Sequence, residues 1–127
     1  MSRDTLIILD WDDTLFPTTW INKNNINIGN ELIRNKLTIY LNDLDTKLYK
    51  LLTKLMTCGF VVIITNAATE WVYLSSSVLP KSYKLIKDKI DVVSARNCYQ
   101  TKFPDNMYKW KLASFKDVYN KIILRQQ

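Results

Sequence analysis

The chain divides into short apolar runs and longer segments with helical periodicity. Leu6-Ile7-Ile8-Leu9 and Phe60-Val61-Val62-Ile63-Ile64 are uninterrupted β-branched and leucine runs. Such runs suit strands buried on both faces of a parallel sheet. A third strand is expected at Ile90-Asp91-Val92-Val93-Ser94-Ala95-Arg96. Between the first two runs, Leu32, Ile33, Leu37, Tyr40, Leu41, Leu44, Leu48, Leu51, Leu52 and Leu55 recur at helical spacing. That segment is long enough for two helices, with a break expected near Asn42-Asp43. A leucine stripe of this kind can be a dimer seam, but the reading taken is a helix packed on a sheet. Cys58-Gly59 is the expected helix stop, with Gly59 as a left-handed cap.

The remaining segments follow the same logic. Pro17 forbids a simple continuation of the first strand. Residues 22–30, rich in Asn and with Gly29 as a joint, read as loop and turn leading into a helix. Helices are predicted over residues 69–79 and 82–87, with Pro80 between them. Trp71 and Tyr73 on the first could be contact residues, but are assigned to core packing. A last helix is predicted from Met107 to the C-terminus, with Tyr108, Leu112, Phe115, Tyr119, Ile122 and Ile123 as its apolar face. Strand, helix and strand in this order imply parallel pairing through right-handed crossovers. The expected fold is α/β, a three-layer Rossmann-like domain with a short parallel sheet.

Composition narrows the class. With 127 residues, 47% of them hydrophobic, the chain reads as one domain over 1–127. Two cysteines, Cys58 and Cys98, form neither a disulfide framework nor a metal spacing. A reducing, intracellular and cytoplasmic setting is therefore expected. His is absent, so acid–base work falls to carboxylates or Lys. No signal peptide or membrane span is expected. The net charge of +6 raises a nucleic-acid role, centred on Lys81, Lys84, Lys87 and Lys89. A solvated helix face is the alternative reading, and a positive field would also steer a phosphorylated substrate.

The chemistry concentrates where the first strand ends, in Asp10-Trp11-Asp12-Asp13-Thr14-Leu15. Buried carboxylates are costly unless paired or metal-bound, so these acids must emerge at the carboxyl end of the strand. In open α/β sheets, ligands bind at that edge. Asp10 and Asp12 can face one point while Asp13 and Thr14 point elsewhere. That pair suits Mg2+ shared with substrate phosphate oxygens, although an acidic turn would also account for it. Thr65 emerges at the same edge, where a hydroxyl and the next amides can hold phosphate, or Thr65 or Asn66 can cap the next helix. Arg96 would emerge there as well, as a candidate substrate contact.

Asp-x-Asp-x-Thr-Leu after an apolar strand resembles the first motif of the haloacid dehalogenase (HAD) superfamily of phosphohydrolases. Ile-Thr-Asn-Ala resembles its second motif, and Trp-Lys in the last helix its third. The resemblance runs from Leu6 to about Lys111. It implies that Asp10 is the nucleophile that forms an aspartyl phosphate, and that Asp12 is the general acid/base. It makes Lys111, with Lys109 in reserve, the cation that stabilises the transferring group. Lys111 is preferred because it lies closer to the centre of the helix's apolar face. Trp11, Thr14, Thr65, Asn66 and Arg96 are the expected phosphate and substrate contacts, and Asp10 and Asp12 the Mg2+ ligands. Residues 22–30 would be a small flap, making this a capless member that accepts bulky phosphorylated substrates.

The family's fourth motif, acidic residues after a further strand, has no counterpart before Gln127. Asp117 falls within a helix and Asp91 at the wrong end of its strand. A missing fourth strand would leave the first strand with an open edge, which invites association. The chain is then a fragment of a longer protein, a short protein that fills the edge as a homodimer, or a degenerate member. The leading function is an Mg2+-dependent phosphohydrolase (a phosphatase). The alternative is a catalytically weak or inactive HAD-like binding or assembly module. A basic nucleic-acid-binding protein is the third class, and affinity falling steeply with salt would distinguish it.

Overall fold

A computed structural model of the protein describes residues 5–123. Three parallel strands, β1 (Leu6–Leu9), β2 (Phe60–Thr65) and β3 (Asp91–Ser94), lie side by side in that order. Leu9 pairs with Ile63, and Thr65 with Ser94, so all three strands end at one edge of the sheet. The period-2 alternation of a strand then sorts the side chains between two faces. Ile7, Leu9, Val61 and Ile63 join one core, which α3 (Thr38–Cys58), α4 (Thr69–Ser76) and α5 (Pro80–Lys89) cover with Leu48, Leu52, Val72 and Ile86. Leu6, Ile8, Val62 and Ile64 join the other, covered by Ala95 of α6 (Ala95–Tyr99) and by Trp110 and Val118 of α7 (Met107–Ile122). The expected three layers are therefore present. Ile63 and Ile64 have no exposed surface, and burying each such side chain contributes about 1.5–3 kcal/mol.

Several boundaries differ from the expectations. An unexpected short helix, α1 (Thr18–Lys23), follows the first turn, and the two helices expected in the leucine segment are α2 (Glu31–Lys36) and α3. The helical break falls at Leu37, not at Asn42-Asp43. There the Thr38 hydroxyl donates to the carbonyls of Asn35 and Arg34 at 2.8 and 3.3 Å, competing with the helical ladder. Asp43 lies inside α3 and pairs with Lys47 at 2.9 Å, an (i, i+4) contact that supports the helix. Gly59 is not a left-handed cap, since its φ of 173° is extended. Glycine is required there by crowding, because a Cβ would lie 2.4 Å from the Thr5 carbonyl oxygen. That same oxygen accepts from the Phe60 amide at 2.9 Å where β1 and β2 begin to pair.

The last helix turns inward only the end of the expected face, Ile122 and Ile123. Over the rest of its length Trp110, Ser114 and Val118 are buried, whereas Tyr108, Leu112, Phe115 and Tyr119 are exposed. Phe115 and Tyr119 instead border a groove with Leu6 and Ile8 of β1. Among the described residues β1 pairs with β2 alone, and no fourth strand is present. The end of the predicted helix, residues 124–127, lies outside the described residues.

One buried charge holds the helical layer together. Asp45 on α3 is 4% exposed, and its carboxylate accepts from the amides of Lys81 and Ser82 at 3.0 and 2.8 Å. It therefore caps α5 from a neighbouring helix, satisfying N–H groups that the helix start leaves without partners. Pro80, which has no N–H to satisfy, begins α5. Asp45→Ala is expected to lower stability by about 1–3 kcal/mol, because the buried Ser82 amide and the partly buried Lys81 amide lose their acceptor. A fall in the urea midpoint at unchanged slope would show it. Lys81, Lys84, Lys87 and Lys89 are all exposed on α5, and Cys58 and Cys98 are exposed free thiols. No helix among the described residues is long and apolar enough to cross a membrane.

Candidate functional site

The site grows from the turn after β1. The Trp11 carbonyl accepts from the amides of Thr14, Leu15 and Phe16 at 3.3, 3.0 and 3.1 Å. This tight turn requires Asp13 to adopt a left-handed conformation, with φ at 58°. Asp and Asn tolerate that region better than most residues. The Asp13 carboxylate accepts from the hydroxyl and amide of Thr19 at 2.5 and 2.8 Å. Those hydrogen bonds, the hydroxyl's first, hold the Asp13 carboxyl below the ordinary aspartate range. Asp13 thus anchors the start of α1 and leaves Asp10 and Asp12 to the sheet edge.

Asp10 is met by a residue from the far end of the chain. Lys111 Nζ lies 3.0 Å from Asp10 Oδ1, which also accepts from the Trp11 amide at 2.9 Å. The two side chains are 24% and 40% exposed, so the pair is accessible to a ligand while partly shielded from water. Lys109 reaches elsewhere, its ammonium 5.5 Å from the centre of the Phe103 ring. Lys111 lies in line with Ser114 and Val118 at the entry of the buried stripe, which explains why it points over the sheet.

Asp12 is held by three donors. Its Oδ1 accepts from the Thr18 hydroxyl at 2.6 Å and from the Trp71 indole at 2.7 Å. Its Oδ2 accepts from the Thr65 hydroxyl at 3.3 Å. Thr65 has no exposed surface, and its oxygen also accepts from the Ala67 amide at 2.9 Å. It is therefore a strut beneath Asp12, and its hydroxyl is not turned outward as an expected phosphate ligand would be. Asn66 has a buried side-chain oxygen with no hydrogen-bond partner among the described residues. The loop after β2 is tied to β3 through the Ser94 hydroxyl, which donates to the Ala67 carbonyl at 2.6 Å.

Two other expected contacts are placed differently. Trp11 is a core residue: its side chain has no exposed surface, stacks on Phe16 at 5.6 Å between centroids, and donates to Ser75 Oγ at 2.8 Å. A ligand cannot reach that ring. Arg96 does not end a strand but lies in α6, which Ser94 caps by accepting from the Asn97 amide at 3.0 Å. Its guanidinium turns along its own helix to Gln100 at 3.4 Å. Thr14 is exposed on the acidic turn. Trp71 and Thr18 are the residues that the sequence reading missed. The available signal was a Trp in the first turn of a helix that starts at the ligand edge, since a half-buried indole N–H needs an acceptor.

Of the two expected Mg2+ ligands, Asp10 keeps Oδ2 clear of hydrogen bonds, while its Oδ1 and the Asp12 carboxylate are engaged. The Asp12 carboxylate already accepts three hydrogen bonds, and Asp10 already faces an ammonium. Among the described residues no group of three or more acidic, His or Cys side chains could hold a metal. Asp117, the nearest thing to a late acid, accepts instead from the Tyr99 hydroxyl on the α6–α7 side. Comparison of the chain with family models, curated proteins and solved structures gives no match.

Proposed function

We propose that the protein is a phosphohydrolase of the HAD type, in which Asp10 accepts a phosphoryl group from a phosphate ester. The observation that carries this reading is the Lys111–Asp10 pair at 3.0 Å, at the sheet edge that also bears Asp12. A carboxylate can act as a nucleophile towards phosphorus, and a preorganised cation beside it offsets the charge that gathers on the phosphoryl oxygens. Asp10 would attack phosphorus as the ester oxygen departs with a proton from Asp12. Water would then give a proton to Asp12 and attack the aspartyl phosphate, releasing phosphate and restoring Asp10. Oδ2 of Asp12 suits this exchange, because its one hydrogen bond, at 3.3 Å, is longer than the two on Oδ1.

In this reading the described sheet is the first part of the family's Rossmann-like domain. The start of α1 lies beside its site, where Thr18 reaches Asp12. A second reading, a HAD-like module that binds phosphorylated ligands without turning them over, is favoured by the lack of a third acid beside Asp10 and Asp12 among the described residues. The open side of β1 is where a second copy would extend the sheet, and the free thiols accord with a reducing, cytoplasmic setting. Turnover of an aryl phosphate by the wild-type chain separates the two readings. Sustained release of phenolate supports the enzyme, while saturable phosphate binding without release supports the module.

Trp71→Phe tests how Asp12 is positioned. It keeps a smaller ring against Phe16, which Trp71 meets edge-on at 6.1 Å, and removes the N–H donor to Oδ1. The expected result is a fall in kcat of about tenfold to a hundredfold, a shifted pH–rate profile and little change in KM.

A further inference from the structure

We propose that the cleft between β3 and α7 is a second ligand site, which takes a small aromatic zwitterion of the α-amino-acid class. The cleft has a volume of about 520 Å³ and is lined by Asp91, Val92 and Val93 of β3. Small-molecule sites are typically concavities of roughly 300–1,000 Å³ with a mostly apolar lining and a few polar groups. None of Asp10, Asp12 and Lys111 lines this one, so its ligand is independent of the phosphoryl-transfer reading. Its α7 wall is Ser114, Asp117, Val118 and Lys121, the spacing of one helix face. Val62, Val93 and Val118 supply apolar surface.

Ser114 points to a hydrogen-bonding group on the ligand. It is 1% exposed, and its hydroxyl has no partner among the described residues. Other helical hydroxyls are satisfied one turn back, as Ser75 donates to the Trp71 carbonyl at 2.6 Å and Thr53 to the Tyr49 carbonyl at 2.9 Å. A buried hydroxyl left unpaired is costly, and a polar ring atom of a ligand would relieve that cost. Charges of both signs border the same cleft. Lys87 and Lys121 make no ion pair among the described residues, and Lys87 rests 5.9 Å from the centre of the Tyr83 ring. Asp91 and Asp117 line the cleft with them, Asp117 accepting from the Tyr99 hydroxyl. Two ammoniums and two carboxylates complement a head group that carries both charges, and complement a simple anion less well. Ser114 and Lys121 are seven residues apart, about 10 Å along the helix axis. A flat ring lying over Val118, polar at its far end and zwitterionic at its near end, spans that interval.

L-Tryptophan is the probe, because its indole N–H supplies the ring donor. Titration of the full-length 15N-labelled chain, followed by amide NMR, is expected to show saturable shifts at Val93, Ser114 and Val118 at millimolar concentration. Asp10→Asn should leave those shifts unchanged. 1-Methyltryptophan, which lacks the N–H, is expected to bind the wild type about threefold to tenfold more weakly. Ser114→Ala, which removes only an unpaired hydroxyl, should fold and bind the two compounds equally. Lys121→Gln is expected to weaken tryptophan but not tryptamine, which has no carboxylate. An absence of saturable shifts in the cleft, or shifts centred on Asp10 and Lys111, would overturn the proposal. So would an equal loss on methylation in wild type and Ser114→Ala, or tighter binding of indole-3-propionate, which has no ammonium, than of tryptophan.

Discussion

Asp10→Asn is expected to abolish turnover of an aryl phosphate, by about 10^4-fold or more, in a protein that still folds. The amide has the shape of the carboxylate and can still accept from the Trp11 amide and from Lys111, but its oxygen is no nucleophile towards phosphorus. Stability should change little, since a half-exposed ion pair contributes at most about 1 kcal/mol. The loss should therefore appear in kcat, with an unaltered denaturation midpoint. Turnover that survives Asp10→Asn would assign the nucleophile to another group.

Trp11→Ala is expected to have the opposite signature, a large loss of stability of about 3–5 kcal/mol. Its indole has no exposed surface, stacks nearly parallel to Phe16 at an interplanar angle of 8°, and donates to Ser75. Removing it would leave a cavity behind the acidic turn and take an N–H from Ser75. A small domain has about 5–15 kcal/mol in total, so a large fraction would unfold on mild heating. Trp11→Phe should recover most of the packing without the hydrogen bond. A change in KM with unchanged thermal stability would instead mean that the ring contacts substrate, contrary to its burial.

The contrast between these two neighbours shows which parts of the site were legible in the sequence. Strand ends were readable because a run buried on both faces must discharge its acids where it leaves the sheet. Leu9-Asp10 and Ile64-Thr65 mark those points, and their parallel pairing brings them to one edge. The direction of each side chain beyond that point was not readable. Trp11 looks like a site residue by position, yet the turn that folds back on its carbonyl drives its ring into the core. Trp71 looks like a core residue by periodicity, yet its indole reaches Asp12. Both outcomes depend on which long-range acceptor lies within reach, Ser75 or Asp12, and no local pattern encodes that.

The last helix teaches the same point at larger scale. It carries two stripes, Tyr108-Leu112-Phe115-Tyr119 and Trp110-Ser114-Val118, and the more aromatic one looked like the inward face. The sheet covers the second, while Phe115 and Tyr119 of the first border a groove with Leu6 and Ile8 of β1. Lys111 was preferred to Lys109 for its place on the first stripe, but it reaches Asp10 because it borders the second. The short helices α1 and α6 also escaped periodicity, since a single turn or two is set by caps and by tertiary contacts such as Thr18 on Asp12 and Ser94 on Asn97.

The measurement that bears most directly on the central claim is acid quenching of the wild-type chain during turnover of an aryl phosphate, followed by peptide mass spectrometry. An acid-stable but alkali-labile phosphoryl group on Asp10, absent from Asp10→Asn, is the predicted result. Turnover with no phosphoryl adduct on Asp10 at any quench time, or an adduct on another residue, would contradict the account.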